Sequence, residues 1–281
     1  MNTNNSHITA PIMSINRHRL NIDGRGITTL VGLHGCPLHC RYCLNDKCHT
    51  VDGIWCTLSV QELYEQVKCD DLYFRATGGG ITFGGGEPAL HSAYIEAFRN
   101  ICGSDWNITL ETSLNVEQKH IQQMVDVVDD YIIDIKSLDA TIYHNYTRRE
   151  LSQAVDNLHY LLQEGKSKHI LVRVPHIEQY NEASDVDATL GLLREWGIEK
   201  IDTFTYLTEI RKENSNRPTR TGKTVCNILK KVRCMIADAN AIAYTPTPCT
   251  HTTCTNGHCP VCEQELSMIT NILSQRDNII I

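Results

Sequence analysis

No apolar run in the chain approaches the ~20 residues that a membrane-spanning helix needs, so no membrane partner is expected. The first residues, Met1-Asn-Thr-Asn-Asn-Ser6, are polar and lack the apolar centre of a secretion signal. An excess of positive charge is also missing. The 26 Lys and Arg stand against 33 Asp and Glu, a formal net charge of −7, which disfavours nucleic acid as a partner. No internal repeat is evident. Thirteen cysteines without a secretion signal read as metal ligands and thiols in a reducing cytoplasm, not as a disulfide framework.

What is present is a chain of 281 residues, 41% hydrophobic and 21% charged, enough for one large domain with a sizeable core. Short apolar runs at 27–33, 80–84, 107–111, 131–135, 169–174 and 201–206 predict strands. Helical patterns fall near 59–69, 89–102, 116–129, 149–164, 184–196 and 221–238. Ser59 followed by Glu62 is a capping-box start. Alternation of this kind predicts βαβ units and a parallel sheet, an α/β fold in which six units close part of a barrel. Residues 1–14 are expected to be a flexible arm, 15–245 the barrel, and 246–281 a cysteine-rich tail with a helix.

The most informative feature is Cys36-Pro-Leu-His-Cys40-Arg-Tyr-Cys43, a C-x3-C-x2-C triplet on one short loop. Three thiolates at that spacing hold three irons of a four-iron cubane and leave the fourth open to a small molecule. Structural zinc normally takes four protein ligands, and three clustered cysteines leave one unpaired in any disulfide scheme. An open cluster is oxygen-labile, which implies an anaerobic setting.

With Tyr42 before its last cysteine, the triplet resembles the signature of radical S-adenosylmethionine (SAM) enzymes. The resemblance extends to the activating enzymes of glycyl radical enzymes, of the pyruvate formate-lyase activating kind. Residues 21–35, Thr77-Gly-Gly-Gly-Ile-Thr-Phe-Gly-Gly-Gly-Glu-Pro88, Ile108-Thr-Leu-Glu-Thr-Ser113, Ile133-Asp-Ile-Lys136 and Val172-Arg-Val-Pro175 fall in that family's order. It covers roughly residues 15 to 185. It implies a partial (β/α)6 barrel, a [4Fe–4S] cluster on Cys36, Cys40 and Cys43, and SAM chelating the open iron. An electron from the reduced cluster then yields methionine and a 5′-deoxyadenosyl radical.

By the same resemblance, Tyr42 packs near the adenine, and Gly84, Gly85, Gly86 and Glu87 approach the methionyl end of SAM. Glu111 and Asp134 fall where the family places SAM contacts and a monovalent cation, although the relatives commonly carry Asp at the first position. Asp134 and Lys136 lie two apart on a strand and share a face. A same-face charged pair belongs inside a barrel whose outer face packs on helices, so Lys136 is a candidate contact to SAM or substrate. Arg173, in an otherwise apolar strand, is either a second catalytic contact or the partner of a structural carboxylate. A Leu-Pro-Tyr-His-like stretch common in such enzymes has no counterpart; the nearest is Thr205-Tyr-Leu-Thr208.

In the tail, Cys249, Cys254, Cys259 and Cys262 fall within fourteen residues. Four thiolates there suit a second [4Fe–4S] cluster, the preferred reading, or zinc. Cys48, Cys56, Cys69, Cys102, Cys226 and Cys234 read as plain thiols. The expected function is generation of a glycyl radical on a large partner enzyme, fed by an electron donor such as flavodoxin or ferredoxin. The partner is expected at the C-terminal edge of the barrel, flanked by the cysteine tail. The alternative is a radical SAM enzyme that modifies a peptide or small molecule, with the tail cluster as an auxiliary.

Overall fold

The computed structural model describes residues 8–206, 222–248, 258–276 and 278–281. Its centre is an eight-stranded sheet in the order β3-β1-β2-β4-β5-β6-β7-β8. The strands are β1 Thr9–Leu20, β2 Ile27–Leu33, β3 Cys56–Ser59, β4 Gly80–Gly85, β5 Asn107–Thr112, β6 Asp130–Asp134, β7 Ile170–His176 and β8 Lys200–Thr205. From β2 to β8 every pairing in that order is parallel. These are the six predicted strands, curved into a partial barrel. The parallel strands read as near-continuous apolar runs because both faces are covered; β4, for example, is buried over five of its six residues.

The sequence missed β1 and β3. Residues 9–14, expected to lie in a flexible arm, belong to β1, which pairs antiparallel with both β2 and β3. Register shifts between Ile12 and Ser14 and between Asn16 and Arg19 break the alternation that would have marked the strand.

Helices α1 Val60–Val67, α2 Asp71–Thr77, α3 Ser92–Cys102, α4 Gln118–Met124, α5 Ala140–Thr147, α6 Ser152–Gln163 and α7 Ala183–Glu195 follow the strands. The capping box at Ser59 and Glu62 forms as read from the sequence. The principal core lies between the outer face of the sheet and these helices and includes Val31, Phe83, Leu110, Ile133, Val172, Phe98 and Leu158.

Two more helices, α8 Gly222–Ala239 and α9 Pro260–Leu273, pack on each other, and α8 packs on α2. Val225, Leu229 and Ile236 of α8 meet Leu266, Ile269 and Leu273 of α9 in a second core with Leu20, Ile27, Leu72 and Tyr73. A boundary at residue 245 therefore runs through a packed unit. Leu20 and Ile27 are paired at the N-terminal end of β2. The tail helix α9 thus docks at the end of the barrel away from the cysteine loop, where the tail was expected beside the mouth; residues 249–257 of the tail lie outside the described residues. The six rises from Ile27 to Leu33 put ~20 Å between the two ends. Among the described residues no helix is long and apolar enough to cross a membrane.

Ionic contacts fasten this hairpin. Arg233 is fully buried and donates to Tyr73 Oη, Tyr244 Oη and Glu265. Arg17 on β1 reaches Glu263 at 3.3 Å and forms a two-pronged pair with Asp70, 2.7 Å on each prong. His18 Nε2 lies 3.0 Å from the same carboxylate. Burial raises the Asp70 pKa, but Arg17 and His18 outweigh it and hold it at about 2. A carboxylate whose folded pKa is depressed contributes stability above its unfolded pKa of ~3.9, lost as pH falls through the folded value. The unfolding free energy from urea titrations should therefore fall between pH ~4 and ~2, by on the order of 2 kcal/mol from this group. Asp70→Asn should be less stable by on the order of 2 kcal/mol at pH 7, because Arg17 and His18 lose their shared carboxylate and Arg17 keeps only the longer contact to Glu263, and should lose this part of the acid dependence.

Candidate active site

The cysteine loop leaves the end of β2 at Leu33 and lies across the C-terminal edge of the sheet, where barrel active sites assemble. Its backbone is pinned from three sides. His39 N donates to Thr147 O (2.8 Å) and Arg41 N to Tyr146 O (3.1 Å), both at the end of α5. Gly35 N donates to Cys48 O at 3.1 Å, and Glu87 N donates to Gly35 O at 2.7 Å. Arg149 Nε donates to Pro37 O at 2.8 Å. Cys36, Cys40 and Cys43 are half-buried on this frame. Burial, reinforced by Glu87, pushes the Cys36 thiol up. Burial also raises Cys40, to about 11, although Lys136 opposes it.

The second glycine run meets protein backbone. Gly85 has φ +94°, and a Cβ there would stand 2.7 Å from Gly32 Cα and 2.9 Å from Leu33 N. One on Gly86 would stand 2.2 Å from Gly35 O. The missing side chains let the end of β4 lie directly against the start of the cysteine loop. Gly86 N then donates to Leu33 O (2.8 Å), and Asn45 Nδ2 donates to Gly85 O (2.8 Å) from the far side of the loop. Gly84 faces the interior, where a Cβ would meet Glu111 Oε2 at 2.9 Å.

Glu87 follows, 1% exposed. Its carboxylate accepts from Thr112 Oγ1 (2.6 Å), Ser113 N (2.8 Å), Ser113 Oγ (2.6 Å) and Ala89 N (3.2 Å). These fill the ~4 acceptor positions of a carboxylate. Burial raises its pKa against those hydrogen bonds. Its side chain thus joins the β4 turn to the end of β5, while its backbone N–H holds the cysteine loop.

Below the loop, the barrel interior carries paired charges. Lys136 Nζ lies 3.2 Å from Asp134 and 5.9 Å from the centre of the Tyr206 ring. Burial works against the Lys136 ammonium, but Asp134, Cys40 and Tyr206 outweigh it and push its pKa up. Deeper, Arg173 pairs with Glu111 and donates to Ile22 O at 2.9 Å. Burial and the nearby Asp134 raise the Glu111 pKa to about 7, although Arg173 opposes them. Of the two roles open to Arg173 in the sequence, the structure shows the carboxylate pair. The turn between β1 and β2 crosses the bottom of the barrel: Thr82 Oγ1 donates to Asp23 O, and Gly24 lies against Thr28, Thr82 and Thr109.

Sequence reasoning missed an aromatic wall. Tyr42, expected at the site, packs with Tyr146 and Tyr180 at ring-centre distances of 6.4 and 6.0 Å, and Tyr206 joins Tyr146 at 6.3 Å. Cys40 lies against this group. The four tyrosines come from four separate segments with no common spacing, so no motif announces them. Cys48, read as a plain thiol, is buried within electrostatic reach of Cys36, Cys40 and Cys43, and burial and Cys43 push it up to about 11. His39 and His49 stack at 4.3 Å beside Cys40, Cys43 and Arg148, lining an open cleft of about 350 Å³.

The site thus combines a partial parallel barrel, three cysteines on the loop after its first parallel strand and a glycine turn locked beneath that loop. The profile of the Radical SAM superfamily matches residues 30–190, and the chain belongs to that superfamily. It is 28% identical to the pyruvate formate-lyase 2-activating enzyme of Escherichia coli over 221 residues, 65% of this chain and 74% of that protein. It is 34% identical to the (2S)-3-sulfopropanediol dehydratase activating enzyme of Klebsiella oxytoca over 158 residues. That alignment takes in 55% of this chain and only about half of the relative, 49%. Among solved structures, a domain of a pyruvate-formate lyase-activating enzyme from Bacteroides vulgatus aligns with a TM-score of 0.41 at 20% identity, over 49% of this chain and 90% of that one.

Membership implies a [4Fe–4S] cluster and SAM. The donor set fits: three thiols of one loop, none tied into a disulfide, beside a buried ammonium suited to an anionic centre. The tail residues Cys249 and Cys254 lie outside the described residues. Gly85→Ala should shift the end of β4 away from Gly32 and destabilise the protein by on the order of 2 kcal/mol, because it combines overpacking with an unfavourable φ. Denaturant unfolding and iron per chain after anaerobic reconstitution check this; iron retention should fall with stability.

Proposed function

We propose that the protein is an activating enzyme that uses a reduced cluster and SAM to place a radical on a backbone glycine of a partner glycyl radical enzyme. The observation that supports this best is the cysteine loop at the open edge of the barrel, in a chain aligned over 221 residues with a pyruvate formate-lyase activating enzyme. On this reading Cys36, Cys40 and Cys43 hold the cluster, whose reduced form supplies the electron that cleaves the sulfonium of SAM. Lys136 and Asp134 orient the amino-acid end of SAM, and the Lys136 charge offsets that of the Cys40 thiolate. Tyr42 and its neighbouring tyrosines cover the loop and keep water from it. Glu87 and Gly84–Gly86 fix the height of the loop above the interior. Arg173 neutralises Glu111. The electron arrives from a flavodoxin- or ferredoxin-like donor in a reducing cytoplasm.

Replacing Cys36, Cys40 and Cys43 together by Ala should abolish formation of 5′-deoxyadenosine under nitrogen with a strong reductant, while the far-ultraviolet circular dichroism stays native. Lys136→Ala should keep the cluster absorption and weaken SAM binding at least tenfold by equilibrium dialysis. The decisive experiment incubates reduced protein, SAM and each glycyl radical enzyme of the host, read by electron paramagnetic resonance. A doublet that collapses when the partner carries α-deuterated glycine is expected. SAM consumption with no radical on any partner would overturn the proposal and favour a peptide or small-molecule substrate.

A further inference from the structure

Arg17, Arg25, Arg99, Arg173 and Arg233 each meet a carboxylate of the chain. Arg41 and Arg148 do not. Both are exposed, and neither has an ion-pair partner among the described residues. The two nevertheless stand together. Arg41 lies on the cysteine loop between Cys40 and Cys43, and Arg148 is the residue that ends α5. The bond from Arg41 N to Tyr146 O keeps their segments side by side. Both line the open cleft of about 350 Å³ that reaches Cys40 and Cys43. Arg148 has φ +63°. Glycine is the usual residue at such a helix end, because a side chain is strained in the left-handed region. The chain keeps an unpaired cation there in spite of the strain, and strain of this kind collects where a side chain has a use.

The cleft lies on the solvent side of the loop. It is lined by two of the three loop cysteines and by none of Lys136, Glu111 and Arg173, which mark the interior. A molecule in it reaches the sulfurs of Cys40 and Cys43 without entering the space beneath the loop. From there it can pass an electron, which travels well only over a short distance. The lining also sets the charge of the visitor. Two arginines outweigh Asp46, the carboxylate among the lining residues, on a chain whose formal net charge is −7. A positive site on a negative protein steers and orients an acidic partner. His39 and His49, stacked at 4.3 Å, give the cleft a flat aromatic wall. Such a wall suits the planar edge of a flavin at a carrier's surface better than a metal cluster wrapped in its own loop.

We propose that the cleft between Arg41, Arg148 and the His39–His49 pair is the docking surface for an acidic flavoprotein that carries single electrons. The proposal rests on the reading of Cys36, Cys40 and Cys43 as cluster ligands. In the docked pair the anionic flavin hydroquinone gives up one electron and becomes the neutral semiquinone. The oxidised cluster takes up that electron, and no bond forms or breaks. The carrier thereby reaches the loop without occupying the interior.

The test uses the full chain with its cluster reconstituted under nitrogen and its iron content measured first. The probe is an acidic flavodoxin. Calorimetry with oxidised flavodoxin gives the affinity, and stopped-flow bleaching of the cluster by flavodoxin hydroquinone gives the rate. Arg41→Glu and Arg148→Glu should each weaken binding and slow reduction roughly tenfold at low salt, and the difference should shrink at ~0.5 M salt. Reduction by photoreduced deazariboflavin, which is small and uncharged, should not change. Arg148→Gly removes the charge but suits the backbone at φ +63°. It should be at least as stable in urea as the unaltered protein, and still bind flavodoxin severalfold more weakly. Equal binding and equal rates in all these proteins would overturn the proposal. So would failure of the unaltered protein to bind flavodoxin at low salt, or arginine-dependent reduction by an acidic ferredoxin alone. Slower reduction by deazariboflavin in the variants would assign the arginines to the cluster itself and also overturn it. No iron in the unaltered protein would overturn the cluster reading and this proposal with it. Absence of a radical on a glycyl radical enzyme bears on neither the affinity nor the rate, so the two proposals fail separately.

Discussion

The close approach of two backbones, at the ends of β2 and β4, is the constraint on which the rest of the site depends. Gly85 and Gly86 allow it, because any side chain there would collide with Gly32, Leu33 or Gly35. Once the two are in contact, Gly86 and Glu87 donate to carbonyls on either side of the cysteine loop's origin. The Glu87 carboxylate then passes the registration on to Thr112 and Ser113 at the end of β5. A loop of cysteines with ordinary freedom would lose much of its entropy on binding a rigid cluster. Here the sheet has already removed that freedom.

Much of this was legible in the chain. The six parallel strands and most of their helices announce themselves because a strand covered on both faces must be an unbroken apolar run. The triplet and the glycine turn were legible because their chemistry dictates residue type at fixed spacing. What stayed hidden came from packing between distant segments. β1 lost its alternation to two register shifts. That Gly85 and Gly86 also let the neighbouring strand and the cysteine loop come close was not legible. That Arg173 pairs with Glu111 could not be read from either strand alone. Tyr146, Tyr180 and Tyr206 carry no local signature, and their importance lies wholly in what they touch.

The protein keeps its charges in two separate stores. One, at the mouth and in the interior, contains Lys136, Asp134, Glu111 and Arg173, arranged so that each buried charge has an opposite neighbour. The other lies along the seam between the barrel and the C-terminal hairpin, where Arg17, Asp70, Arg233 and Glu265 do the same. Apolar packing holds the hairpin down, and the ionic seam sets where it sits. Buried pairs of this kind tolerate the loss of both members better than the loss of one, so each store behaves as a unit.

The turn between β1 and β2 lies across the floor of the barrel interior, at the end away from the cysteine loop. There Asp23 accepts from Thr82, and Gly24 lies against Thr28, Thr82 and Thr109. Because this plug is main chain held by strand side chains, it belongs to the fold itself. The depth of the interior below the loop is therefore set by the protein and not by what occupies it.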